Sequence, residues 1–370
     1  LLFLIDDSGS MQNEQEQLRA SFVSFYTALE NSLETMPDLH VGVVTPDLGT
    51  GSFTVIRYCE EVGGDGGILG RVKGVNLGET CLGTGQKYIV DLEPEGCTIN
   101  RNSIGNCIDH DCEQLHCDAL EQANEELTLV TDANGCPRCR NFTGTPSEAF
   151  SCLADLGTQG CGFEQQLEAV HLALDTQETP ENEGFLRDDA LLAIVIVTDE
   201  DDCSASQPDI IFNPDPNENR IDSTLGYLHS FRCFEFGVRC DVNDRSVMGP
   251  RNDCVPRDDA QALLHPMDRY VQFLSDLRDP GRVVVAALAG PVTDQVIVQQ
   301  DAQNRPEVKP SCTDNTGQGA TPGVRIEAFA SYFNSPAELA DWAYASVCKN
   351  SFVDTMEALG LEIADRLGQL

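Results

Sequence analysis

An aspartate and two serines spaced as Asp6-x-Ser8-x-Ser10 stand directly behind the five apolar residues that open the sequence, LLFLI. An apolar run this short reads as a buried strand, and Gly9 lets the chain turn sharply after it. The spacing then sets three hard oxygen donors at one strand end. That is the chemistry of a small divalent cation, with positions left open for water or a partner's oxygen. The competing reading is a helix N-terminus, where Asp and Ser are good caps. A second carboxylate, Asp199, follows the apolar stretch 191–197 in the run Thr198-Asp199-Glu200-Asp201-Asp202. Burying Asp6 and Asp199 side by side without a cation is unfavourable, so both read as ligands. Glu200, Asp201 and Asp202 read as a solvated run. Asp47, in the turn after another apolar stretch, is either a turn residue or a carboxylate standing behind the direct ligands.

Other chemistries have weaker support. Cys136-Pro-Arg-Cys139, His110-x-Cys112 and His116-Cys117 offer the ligand types of tetrahedral zinc, but in a cysteine-rich exported chain disulfides are the better reading. No βαβ context of the thioredoxin kind surrounds the C-x-x-C. Asn213, Asp215, Asn217 and Asn219 alternate as in a calcium loop, yet Glu218 occupies the position that needs glycine and no Glu closes the loop. His171 falls on an apolar helical face, as a packed residue does. There is no G-x-S-x-G elbow and no glycine-rich phosphate loop with its lysine. Asp6-Asp7 is not the D-x-D of aspartyl phosphatases. The chain does not read as an enzyme.

The 370 residues include 23 basic and 61 acidic side chains, a formal charge of −38. A polyanion of this strength is repelled by nucleic acid and anionic lipid and attracts cations; it also keeps a secreted protein in solution. The cysteines number 16, an even count that is high for a cytosolic protein. Both features favour an oxidising compartment and as many as eight disulfides among Cys59, Cys81, Cys97, Cys107, Cys112, Cys117, Cys136, Cys139, Cys152, Cys161, Cys203, Cys233, Cys240, Cys254, Cys312 and Cys348. The longest apolar runs, 190–197 and 283–289, are strand-sized and fall short of the ~20 residues that span a bilayer. The first residue already lies in a strand, so the export signal that the cysteines imply is expected to have been removed.

The elements needed to position these groups follow in order. Leu18, Phe22, Phe25, Leu29 and Leu33 recur at helical spacing and predict an amphipathic helix of about six turns, stopped by Pro37. Residues 40–45 predict a second buried strand, and strand–helix–strand predicts a right-handed parallel unit. From Tyr58 to Cys139 the pattern dissolves, with strand signals only at 88–92 and 127–130. A stretch this long is no plain loop and reads as a disulfide-stapled insertion, 59–140. A short helix over 146–156 follows, then one from Phe163 carrying Leu167, Val170, His171 and Leu174, then the strand 191–197. A second cysteine-containing insertion occupies 203–255. The pattern continues with a helix over 267–277, a strand over 283–288, a last strand over 324–330, and closing helices around Trp342 and over Phe352 to Leu367. The whole predicts one α/β domain, a doubly wound, mostly parallel sheet flanked by helices. In such sheets ligands bind at strand carboxyl ends, where strand order reverses, and Asp6, Asp47 and Asp199 all follow such ends.

With these residues in place, the chain resembles the von Willebrand factor type A (vWA) domain and its metal-ion-dependent adhesion site. The family's first motif, D-x-S-x-S after the first strand, is matched by Asp6, Ser8 and Ser10; its third, an Asp after the fourth strand, by Thr198-Asp199. The resemblance implies that serines and a threonine coordinate the metal directly, that the aspartates bind directly or through water, and that a partner's acidic residue completes the octahedron. The family's threonine motif falls in the region 157–165. Thr158 has the right chemistry but sits early, while Glu164 lies nearer the expected spacing. An anionic ligand there holds the cation more tightly and weakens its pull on an acidic partner. The arrangement also resembles cysteine-rich vWA lipoproteins exported by Gram-negative bacteria, which implies an extracellular, cell-surface or periplasmic place and a lipid anchor upstream of Leu1. The function so implied is metal-dependent protein binding. Mg²⁺, or Ca²⁺ or Mn²⁺, is held by Asp6, Ser8, Ser10 and Asp199 with Thr158 or Glu164, and the partner is a protein offering a carboxylate. The alternatives are a structural envelope protein whose metal only stabilises the fold, and a zinc-dependent enzyme centred on 110–139.

Overall fold

Side chains alternate across a strand, and the first strand, β1 (Leu2–Ile5), is apolar on both faces. The same holds for β6 (Leu192–Val197) and β7 (Val283–Ala289), and β2 (Leu39–Val44) is buried throughout, with His40 and Gly42 on one face. Strands of this kind are stable only when both faces are covered. In the computed structural model, which describes residues 1–33, 35–120 and 126–369, they form the centre of an eight-stranded sheet. Its other strands are β3 (Ile89–Leu92), β4 (Thr128–Thr131), β5 (Pro137–Arg140) and β8 (Tyr344–Ser346). The order is β8-β7-β6-β1-β2-β3-β5-β4. From β8 to β2 neighbouring strands run parallel, and β3, β5 and β4 add on antiparallel. The chain steps from β1 to β2 on one side and later enters β6 on the other, so strand order reverses at β1.

Two helical layers cover the sheet. Phe3, Ile5, Val43, Val195, Val197 and Leu288 share one apolar cluster with helices α1 (Gln12–Ser32), α2 (Pro146–Leu153) and α7 (Val353–Gln369). Leu2, Leu4, Val44, Ile194, Ile196 and Val285 share the other with α3 (Gln166–Leu174), α5 (Met267–Leu277) and α6 (Val324–Ser331). The helical spacing of Leu18, Phe22, Phe25 and Leu29 is the buried stripe of α1. Phe22 stacks on Phe150 with ring centroids 3.8 Å apart, and Phe3 packs 4.7 Å from Phe150. Each such ring contributes about 1.5–3 kcal/mol through burial.

The segment 59–140 belongs to the sheet. It supplies β3, β4 and β5, adds Leu69, Val90, Leu92 and Leu127 to the apolar core, and buries an ionic cluster beside them. The fully buried Arg138 donates through Nε to Asp91 Oδ1 at 2.7 Å, and Arg140 meets Asp91 Oδ2 at 3.0 Å. Three disulfides close the segment on itself, Cys97–Cys112, Cys107–Cys136 and Cys117–Cys139. Cys59–Cys161 and Cys81–Cys152 tie it to the chain that follows. With Cys203–Cys233, Cys240–Cys254 and Cys312–Cys348 all sixteen cysteines are paired. No thiolate is left for zinc at Cys112, Cys117, Cys136 or Cys139, and the C-x-x-C cysteines are bonded to other partners. The bonds fit an oxidising compartment, and no described helix is long and apolar enough to cross a membrane.

One expected element changes type. Residues 324–330 form helix α6, not a strand. Its Arg325 N–H is capped from a distance by Asp201, whose Oδ1 accepts at 2.9 Å, and a cap supplied by tertiary structure overrides a β-branched start. The stretch around Trp342 is helical, as expected: a short helix capped by Ser335, Pro336–Glu338, widens into the turn Leu339–Ala343 and leads into the short strand β8. The alternating polar residues 213–219 lie in a loop, in line with their departures from the calcium pattern, and a cation of the chain's own orders it. Arg232 is buried, and its Nη1 and Nη2 donate to the carbonyls of Ile211, Asn213, Glu218 and Gly226 at 2.8–3.0 Å.

Candidate metal centre

Strand register decides which side chains meet above the sheet. Ile5 lies beside Val197 and Val197 beside Leu288, so β1 and β6 end level. The ladder continues one step further, with Asp6 N–H donating to the Val197 carbonyl at 2.9 Å and Thr198 N–H to that of Leu288 at 3.0 Å. Asp6 and Thr198-Asp199 thereby leave the sheet at the same edge. Asp6 Oδ1 accepts from Ser8 N–H at 2.8 Å and Oδ2 from the Thr198 hydroxyl at 2.7 Å. The hydroxyls of Ser8 and Ser10 lie 3.3 Å apart. Helix α1 starts after Met11 with no side-chain cap, so Asp6, Ser8 and Ser10 do not act as helix caps. Gln15 fixes the turn from below, donating to the carbonyls of Asp6 and Gly157 at 2.8 and 2.9 Å.

Four carboxylates gather here. Asp6 is 0 %, Glu164 2 % and Asp199 5 % exposed, and Glu200 is half-buried. Burial pushes the Asp6 carboxyl up, against hydrogen bonds from Thr198 and Ser8. Burial, then the charges of Glu200 and Asp6, push Glu164 well above the usual carboxylate range. Asp199 is raised in the same way by burial, Asp6 and Glu200, with the Ser10 hydroxyl opposing. Burial and Asp6 bring Glu200 to about 7. Glu14, from the first turn of α1, adds a fifth buried carboxyl, raised by burial and by the charges of Asp314 and Asp6. Among the described residues no Lys, Arg or His forms an ion pair with Asp6, Glu164, Asp199 or Glu200.

The two residues left open at the threonine position separate. Glu164 stands in the acid cluster, whereas the half-buried Thr158 makes no side-chain hydrogen bond among the described residues. Asp47 stands in an adjoining group with Asp7 and Asp65. Asp47 Oδ2 meets Lys73 Nζ at 2.7 Å, and its Oδ1 accepts from Gly49 N–H at 3.0 Å. Asp65 accepts from the Thr45 hydroxyl at 2.8 Å and is pushed up to about 6, chiefly by burial. Asp7 packs against Gly160, where an added Cβ would lie 2.2 Å from Asp7 Oδ1.

Glu200, Asp201 and Asp202 are not a solvated run. Glu200 faces the cluster, Asp201 caps α6, and Asp202 is buried against Arg325 at 2.9 Å. The run lies between the buried strand β6 and the buried Cys203, Ser204 and Ala205, so the chain has to cross the top of the sheet there. That boundary was the signal that could have placed Glu200. Gln166 is a further residue that sequence reading missed. Its Nε2 donates to Thr198 Oγ1 at 3.0 Å.

The unpartnered buried atoms around this edge are all acceptors: Asp7 Oδ2, Glu14 Oε2, Gln166 Oε1 and Asp199 Oδ1. Hard oxygens without donors are the environment that a small divalent cation satisfies, so the residues present fit one. Among the described residues, three or more His, Cys, Asp or Glu bring their ligand atoms within 4.8 Å of one another only at Cys97, Asp111 and Cys112; the carboxylates above β1 and β6 stand further apart than that. The two sulfurs of Cys97 and Cys112 are bonded to each other, which leaves Asp111 alone. Beside Glu200 a cleft of about 410 Å³ opens. Comparison of the chain with protein-family models, with curated proteins and with solved structures finds no match.

Proposed function

We propose that the chain is an exported protein-binding module of the vWA kind, doubly wound about β1, which engages a partner's carboxylate through a divalent cation. The observation that supports it is the set of buried acceptor oxygens without donors around Asp6, Glu164, Asp199 and Glu200, with no basic side chain among the described residues paired to these four. Ser8, Ser10 and Asp199, with Asp6 behind them and Glu164 in place of a threonine, would hold Mg²⁺, or Ca²⁺ or Mn²⁺. A bound cation supplies a directional contact for a carboxylate on a surface that otherwise repels one.

Glu164 supports a second reading. A buried anionic ligand neutralises the ion and weakens its attraction for an outside carboxylate, which favours a cation that only stabilises the fold.

Thermal melting in EDTA and after return of Mg²⁺, Ca²⁺ or Mn²⁺ tests both, in the native chain and in Asp6→Ala. A ligand that binds only the folded state stabilises it by about 2.7 kcal/mol at a hundred times its Kd. The expected result is a rise in Tm with metal that Asp6→Ala abolishes. Identical melts throughout would defeat both readings. A partner that still binds Asp6→Ala in EDTA would leave only the stabilising ion.

A further inference from the structure

We propose that the cleft beside Glu200 receives an arginine side chain from the same partner segment whose carboxylate reaches the cation, so that this face reads an acidic and a basic residue together. The carboxylate half rests on the function proposed above; the arginine half does not.

The cleft of about 410 Å³ lies between α4 (Phe231–Gly237), the strand Pro306–Val308 and the residues that follow β6. Its acidic wall is Glu200, Asp201 and Glu307, and its apolar wall includes Phe231, Phe234 and Val308. No Lys, Arg or His is among the described residues that line it. Glu307 is held in place by Gln299, which donates to its Oε1 at 2.8 Å. Asp201 receives only main-chain N–H groups. Such bonds orient a carboxylate without pairing it with a cation; burial raises Glu200 and Asp201 to about 7, and a guanidinium placed between them favours their charged forms.

Aromatic faces beside carboxylates select the guanidinium group. It is planar, stacks on aromatic rings and forks onto carboxylate oxygens, and it sheds water more readily than an ammonium. Phe231 and Phe234 lie 5.7 Å apart at a tilt of 43°. The Cys203–Cys233 disulfide joins this aromatic wall to the end of the acidic run, so the cleft exists before a partner arrives. Glu200 belongs both to the cleft and to the acid cluster around Asp6, and it is the residue next to Asp199. A single short segment therefore reaches both places.

The test uses the whole protein with the Val308 methyl groups observed by NMR. Arginine amide and its neutral isostere citrulline amide are added in EDTA and in Mg²⁺. Arginine amide is expected to shift Val308 in both conditions, citrulline amide to leave it unmoved, and Glu307→Gln and Phe234→Ala each to reduce the shift. Equal shifts from the two amides, or none from either, would overturn the proposal whatever the metal does. Peptides of the form acetyl-Asp-(Gly)n-Arg-amide then separate the two halves. Binding that is stronger in Mg²⁺ than in EDTA supports the joint reading. An arginine response that Mg²⁺ never enhances keeps the cleft and removes the cation. Mg²⁺-dependent binding in which citrulline replaces arginine without loss removes the cleft.

Discussion

Thr198 and Asp6, at the ends of neighbouring strands, are joined by a hydroxyl-to-carboxylate hydrogen bond of 2.7 Å. A threonine hydroxyl has one proton, so the Gln166 amide must turn its N–H towards the same oxygen, as it does at 3.0 Å. That leaves Gln166 Oε1 buried without a partner. Thr198→Val keeps the shape and removes both bonds. It is expected to destabilise the metal-free protein by about 1–3 kcal/mol, the penalty for stranding buried polar groups, while Thr198→Ser stays close to the native value. Urea denaturation in EDTA measures both.

Glu164 and Asp199 repel their neighbours in the absence of a cation. Glu164→Gln or Asp199→Asn is therefore expected to raise the stability of the metal-free protein, by an amount on the order of 1 kcal/mol for like charges at short range. Each is also expected to shrink the Mg²⁺-induced rise in Tm. Melting curves of the two variants with and without Mg²⁺ check the opposite signs; a loss of stability in EDTA for both would contradict the electrostatic account.

Asp65 makes stability depend on pH. Its carboxyl is raised from 3.8 to about 6 in the folded chain, so the folded state binds the proton more tightly than the unfolded state does. The contribution is complete below pH 4 and is lost as pH rises through about 6. A shift of this size corresponds to about 3 kcal/mol. Asp65→Asn keeps an acceptor for the Thr45 hydroxyl and does not titrate. It is expected to match the native protein near pH 4 and to exceed it at pH 8, with equilibrium denaturation at the two pH values as the measurement.

Arg325 is buried with its Nε on Asp202 Oδ2 at 2.9 Å and its Nη2 on the His265 carbonyl at 2.8 Å. Removing one member of a buried ion pair leaves the other charged and unpaired, a loss of about 3–5 kcal/mol. Arg325→Met is expected to fall in that range by urea denaturation. Arg325→Met combined with Asp202→Leu is expected to recover part of it.

The frame of the fold was legible because β1, β6 and β7 are apolar on both faces and α1 repeats its buried residues at helical spacing. Both signals are local. What escaped reading was non-local. The cap on α6 comes from Asp201, far away in the chain, and β8 is three residues long, too short to show a period. At the site, Asp6, Ser8, Ser10 and Asp199 stood out because each follows a strand end. Glu200 did not, since a run of four acids looks like solvent-facing chain until the sheet beneath it is known. The choice between Thr158 and Glu164 turns on the path of a loop, which spacing leaves open. Cysteine pairing is set by proximity in space and could not be read at all.

Arg232 gives the loop around residues 211–226 a property that no free ion could. Four backbone carbonyls converge on a guanidinium that belongs to the chain, so the charge that orders them is present at a fixed, high effective concentration. It cannot be diluted, exchanged or stripped by a chelator. The order of this loop is set when the polypeptide is made and does not follow the ionic composition of the surroundings.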